Sequence, residues 1–163
     1  MRKSKTRGVV AILIAAMFML GGCGARSDVN LARHIMTQLA SGRYTIRHQI
    51  DWPNLFVLSK DVGAEYRNLP NDKEREGYEI AFIEAYKRGF HMTGASMAYF
   101  VNWRLFHRKA GLTIAVADMQ RNPGYKLLVA VKNVHGKRKL VDVKAVHIKD
   151  AEKFKVFQQE MLK

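Results

Sequence analysis

The chain has 163 residues, 28 Lys and Arg against 14 Asp and Glu, a formal charge of +14 at pH 7 and a single Cys. With 48% hydrophobic residues it is no disordered polyelectrolyte, and one thiol excludes an intrachain disulfide. The length suits one domain with a core of its own and is short for two.

The chain opens on Arg2, Lys3, Lys5 and Arg7, followed by 12 residues from Val9 to Leu20 without a charged side chain. A basic start, a short apolar run and small residues before a cleavage point describe an export signal, and the run is too short to span a bilayer comfortably. The closing residues Leu20-Gly21-Gly22-Cys23 resemble a bacterial lipobox. That resemblance implies a lipoprotein: residues 1–22 are a signal peptide, Cys23 becomes the acylated first mature residue, 23–27 form a tether and 28–163 a single α+β domain. The implied partner is the membrane, through an N-terminal lipid anchor whose buried methylenes add about 0.8 kcal/mol each. Gly24, in place of Asp, resembles the sorting choice for the periplasmic face of the outer membrane. The four basic residues of the signal account for four of the +14, which leaves +10 on 141 mature residues. Export keeps such a surface from nucleic acid, so the expected partners are anionic lipid headgroups or an envelope protein.

After the tether, Ser27 is positioned to cap a helix with Ala32, Ile35, Met36 and Leu39 on one face, ending at Ser41-Gly42. Tyr44 to Leu58 reads equally as short helix or strand, with Pro53 interrupting either. Gly63 opens a small segment, Ala64 to Leu69, before a Pro70-Asn71 turn. Asn71 and Glu74 have the spacing of a capping box, and Tyr78, Phe82, Ala85, Tyr86 and Gly89 make the stripe of the helix that follows. From Ser96 the pattern changes to strands: Met97 to His107, Leu112 to Gln120, Tyr125 to Val134 and Leu140 to Ile148. The separators Lys109-Ala110-Gly111, Asn122-Pro123-Gly124 and His135-Gly136 are turn chemistry, so the four strands form an antiparallel meander. The third strand is apolar on both faces over Leu127 to Val131, which places it centrally. Asp150 begins a C-terminal helix with Phe154, Phe157 and Met161 on one side.

Helices followed by a curved four-stranded antiparallel sheet make an α+β domain. This order resembles the cone-shaped nuclear transport factor 2-like fold, which implies a pocket between helices and sheet. The run from Ile50 to Phe90 is similar, over Gly63, Tyr66-Arg67, Arg75, Tyr78 and Phe82, to the periplasmic phospholipid carriers of the Mla pathway. That similarity implies lipid binding and no catalytic residue.

The candidate sites follow from residue type. Tyr78, Phe82, Tyr86, Tyr99 and Trp103 converge on the junction of long helix and first strand, as core or as an apolar cavity for an acyl chain. Arg104 and Arg108 stand at its edge to face a phosphate. Lys137, Arg138 and Lys139 at a hairpin tip form an anionic-surface contact or a solvated turn. No His pair has the spacing of a zinc protease, and no Gly-x-Ser-x-Gly elbow occurs, so neither metal, cofactor nor catalytic residue is expected. The rival reading is an acid–His enzyme using Asp118 and His91, with Asp51 and Glu65 as a further carboxylate pair. A third is a structural or assembly lipoprotein that docks on a larger envelope machine. His107 and His147 belong to neighbouring strands only if the register brings them together.

Overall fold

A computed structural model describes residues 26–150; the expected signal peptide, Cys23 and the helix expected over Phe154, Phe157 and Met161 lie outside them. The domain is α+β, with three helices and a six-stranded sheet among the described residues. Helix α1 covers residues 26–40 and is already formed at residue 26, so Ser27 sits inside it rather than capping it. Its Val29, Ala32, Ile35, Met36 and Leu39 are buried at the expected 3.6-residue period.

Two 3-10 turns follow, Tyr44–Gln49 and Trp52–Asn54. Two short strands come next, β1 Phe56–Val57 and β2 Lys60–Asp61. Helix α2 is Val62–Arg67, and the Asp61 carboxylate accepts from Ala64 N at 2.9 Å. Helix α3, Asp72–Met92, starts at the predicted cap: Asn71 Oδ1 accepts from Glu74 N at 2.9 Å. The stripe that α3 turns inward is Tyr78, Phe82, Ile83, Tyr86 and Phe90, while Ala85 and Gly89 face solvent.

A third 3-10 turn, Met97–Tyr99, leads into β3 Phe100–Lys109, β4 Leu112–Met119, β5 Tyr125–Val134 and β6 Lys137–His147. These four pair antiparallel as the turns require. At two tips left-handed residues, Ala110-Gly111 (φ 48° and 80°) and His135-Gly136 (φ 49° and 78°), turn the chain with the hand that matches strand twist.

The sheet is larger than the four strands expected. Its order is β2-β1-β6-β5-β4-β3, because β1 runs parallel to β6, with Phe56 opposite Asp142. Two-residue strands leave no alternation to read, and a parallel partner 86 positions away leaves no turn signal. The order also separates His107 on β3 from His147 on β6 by two whole strands. His107 lies opposite Ile114 instead, and His147 lies opposite Tyr125 with the rings 4.9 Å apart.

Alternation on the strands produces two buried layers. Ala115, Ala117, Leu127, Val129, Val131, Leu140 and Val143 join α1, the 3-10 segment and Ile83 in the main core. Leu112, Ile114, Val116, Leu128, Ala130, Val141 and Val146 form a second cluster, which contains no residue of a described helix. Two register shifts in β3, between Val101 and Arg104 and between Leu105 and His107, are bulges that bend that edge strand. No described helix is long and apolar enough to cross a membrane.

Candidate functional site

The bend in β3 carries its first half alongside α1. Between them lies a cavity of about 530 Å³, lined by Arg26, Val29, Asn30 and Arg33 of α1 and by Met97, Phe100, Val101, Trp103, Arg104 and Leu105. Its wall joins apolar residues to a larger polar surface, which three arginines and two asparagines supply. Arg26 and Arg33 take part in no ion pair among the described residues, which leaves their charge available to a ligand. Such a volume is in the range of ligand pockets, and its mix of apolar wall and a few cationic groups suits an anionic amphiphile.

The expected aromatic group divides along the helix–strand junction. Trp103 and Arg104 line this cavity. Tyr99 lines a smaller one of about 280 Å³ with Met119 and Arg121, and the Arg121 guanidinium lies 4.1 Å over the Tyr99 ring. Tyr78, Phe82 and Tyr86 pack against the main core as links of a ring ladder. Trp52 meets Phe82 edge-on at 5.4 Å, Phe82 neighbours Tyr86 at 6.3 Å, and Tyr86 stacks on Phe90 at 6.4 Å. Burial pushes the Tyr86 hydroxyl up to about 12, so this ladder stays uncharged at any physiological pH.

The residues that suggested the carrier resemblance form a structural knot in this chain. Tyr66 stacks on Trp52 at 5.9 Å and meets Tyr78 edge-on at 6.1 Å, with the Arg75 guanidinium 6.0 Å above its ring. Arg67 donates to the Pro53 carbonyl and to Asp61. A Cβ on Gly63 would collide with the Pro53 backbone, so this close crossing of α2 over the 3-10 turn needs glycine.

The two arginines expected to face a phosphate are committed elsewhere. Arg104 reaches Asp118 at 3.0 Å, and Lys126 reaches the same carboxylate at 2.6 Å. Hydrogen bonds from Lys126, Asn102 and Arg104 hold the Asp118 carboxyl well below the usual carboxylate range. Arg108 lies 3.7 Å from Asp28, a buried carboxylate that also accepts from Thr113 Oγ1 at 2.8 Å and pairs with Arg138. The basic triplet is therefore split: Arg138 pins the start of α1 to the sheet, while Lys137 and Lys139 line a third cavity.

The acid–His alternatives find different partners. Asp118 is bound as above, and the ring contact of His91 is with Phe90 at 6.3 Å. Asp51 accepts from Asn54 at 3.0 Å, whereas Glu65 takes Lys60 at 2.7 Å and the Tyr78 hydroxyl at 2.8 Å. Among the described residues no group of three His, Cys, Asp or Glu could hold a metal ion.

Residue type alone pointed to Trp103 and Arg104 but not to Arg26, Val29, Asn30 or Arg33. The exposed Arg at i and i+7 on α1 was the available signal, and only the docking of α1 on β3 gives it meaning. No family model, curated protein or solved structure matches this chain, so its own residues carry the functional reading.

Proposed function

We propose that the protein is a non-enzymatic lipoprotein of the bacterial envelope, anchored through Cys23, whose cone-shaped, nuclear transport factor 2-like domain binds an anionic amphiphile such as a lipid. The observation that carries this reading is the α1–β3 cavity, with its apolar wall of Val29, Phe100, Trp103 and Leu105 and the arginines at positions 26 and 33. An acyl chain would bury its methylenes against the wall, and the two guanidinium groups, in no ion pair among the described residues, would meet the headgroup. Anchoring at Cys23 sets the start of α1, and so this cavity, within a few residues of the membrane surface.

Titration of the full chain with the fluorescent fatty acid parinaric acid tests the reading. Saturable binding is expected, weakened about tenfold by Arg33→Glu, which reverses a charge at the cavity without touching the core. Absence of saturable binding, or equal affinity in the variant, would contradict it.

A further inference from the structure

We infer that the cavity between the first 3-10 segment and the start of β6 is a second site, built for a phosphate group. It has a volume of about 360 Å³ and is separate from the α1–β3 cavity. The inference stands whether or not that other cavity takes an amphiphile.

Four side chains of basic residue types line it: Arg47, His48, Lys137 and Lys139. Lys137 and Lys139 stand two apart on β6, so their side chains leave the strand on the same face. Two ammonium groups held side by side repel each other, and neither lysine is in an ion pair among the described residues. Two carboxylates stand against them. Glu76 pairs with Arg47, and Glu79, which also lines the cavity, accepts from the neutral Tyr66 hydroxyl at 2.9 Å and keeps its negative charge. Arg47 is thereby fixed, with its Nε 3.4 Å from His48 Nε2.

The result is a cleft in which Arg47, Lys137 and Lys139 outnumber Glu76 and Glu79 by one charge, with donors on two sides. An anion between the lysines relieves their repulsion, and a cleft with protein walls strengthens that attraction relative to open water. A phosphate offers three oxygens and up to two charges, enough to engage both ammonium groups and the His48 side together; a carboxylate offers two oxygens and one charge. The Trp52–Tyr66 pair closes one side as an apolar wall against which the organic part of a phosphate ester would rest. The phosphate could belong to a soluble ester or to a lipid headgroup.

Calorimetric titration of the full chain with inorganic phosphate, at ionic strength held constant with NaCl, tests the site, with acetate as the parallel probe. Saturable phosphate binding with Kd below about 1 mM is expected, weakened about tenfold or more in Lys137→Gln/Lys139→Gln and unchanged in Lys149→Gln, just past the opposite end of β6. Lys137→Arg/Lys139→Arg keeps the charge and should retain binding. A second arm competes bound phosphate with the water-soluble headgroup diester glycerophosphoglycerol and with glucose 6-phosphate, because an acyl anchor carries the chain onto any vesicle. Displacement by the diester assigns the site to a headgroup, and displacement by the monoester alone assigns it to a soluble ester. No saturable phosphate binding, equal binding of acetate, or an unaffected double Gln variant would overturn the inference.

Discussion

Asp28 shows how a single residue can decide which basic side chains are free to act. Its carboxylate is buried under Thr113, Arg108 and Arg138. Three consecutive basic residues at a hairpin tip look interchangeable in the sequence, yet Arg138 stabilises the fold and its neighbours do not. Arg138→Gln should cost about 2–3 kcal/mol, since it weakens the compensation of a buried charge, whereas Lys137→Gln should stay within about 0.5 kcal/mol of wild type. Denaturant titration checks both, and equal effects would mean that the Asp28 pair carries no stability. Asp118 makes a pH-dependent contribution. Its folded carboxyl binds a proton less readily than the unfolded chain's does, because Lys126, Asn102 and Arg104 bond the ionised form. The stabilisation is complete above about pH 4, the ordinary Asp value, and fades as the pH falls further. Asp118→Asn should therefore destabilise by about 1 kcal/mol at pH 7, with the gap to wild type closing in acid. Thermal melts from neutral pH to below the ordinary Asp value read this directly; a gap that widens in acid would refute it.

At the scale of elements, the parts read best from the sequence are those governed by local chemistry. The Asn71 cap, the buried face of α1 and the tips at Gly111 and Gly136 each depend on a few adjacent residues, and each forms as expected. The Tyr44 to Leu58 stretch was not legible. Its 3-10 turns and the two-residue β1 are shaped by what they pack against: Ile50 bridges to Leu140, and Asp51 N donates to the Leu140 carbonyl at 2.9 Å. Gly63 ties this stretch to α2, since its amide donates to the Leu55 carbonyl at 3.0 Å while its Cα lies on the Pro53 backbone. Gly63→Ala should cost about 1–3 kcal/mol through overpacking, despite the better helix propensity of Ala. A neutral or stabilising result in denaturant titration would show that α2 can slide off the turn.

For the whole molecule, the candidate sites exist only because distant segments meet. Trp103 and Lys137 could be singled out by residue type, but α1 completes the first cavity and the 44–54 segment the second. Neither partner is near in the sequence, so no spacing rule could join them. The same holds for the sheet, whose parallel β1–β6 edge closes residues 56–143 into one unit. An anchored domain that carries an amphiphile shows both properties in one native mass spectrum of the detergent-extracted protein. The predicted spectrum shows a chain beginning at Cys23 with covalent acyl mass, plus a lipid-sized adduct that collisional activation strips while the acyl mass remains. In Cys23→Ser the covalent mass should vanish. A bare polypeptide in the wild-type spectrum, with neither acyl mass nor adduct, would contradict the account.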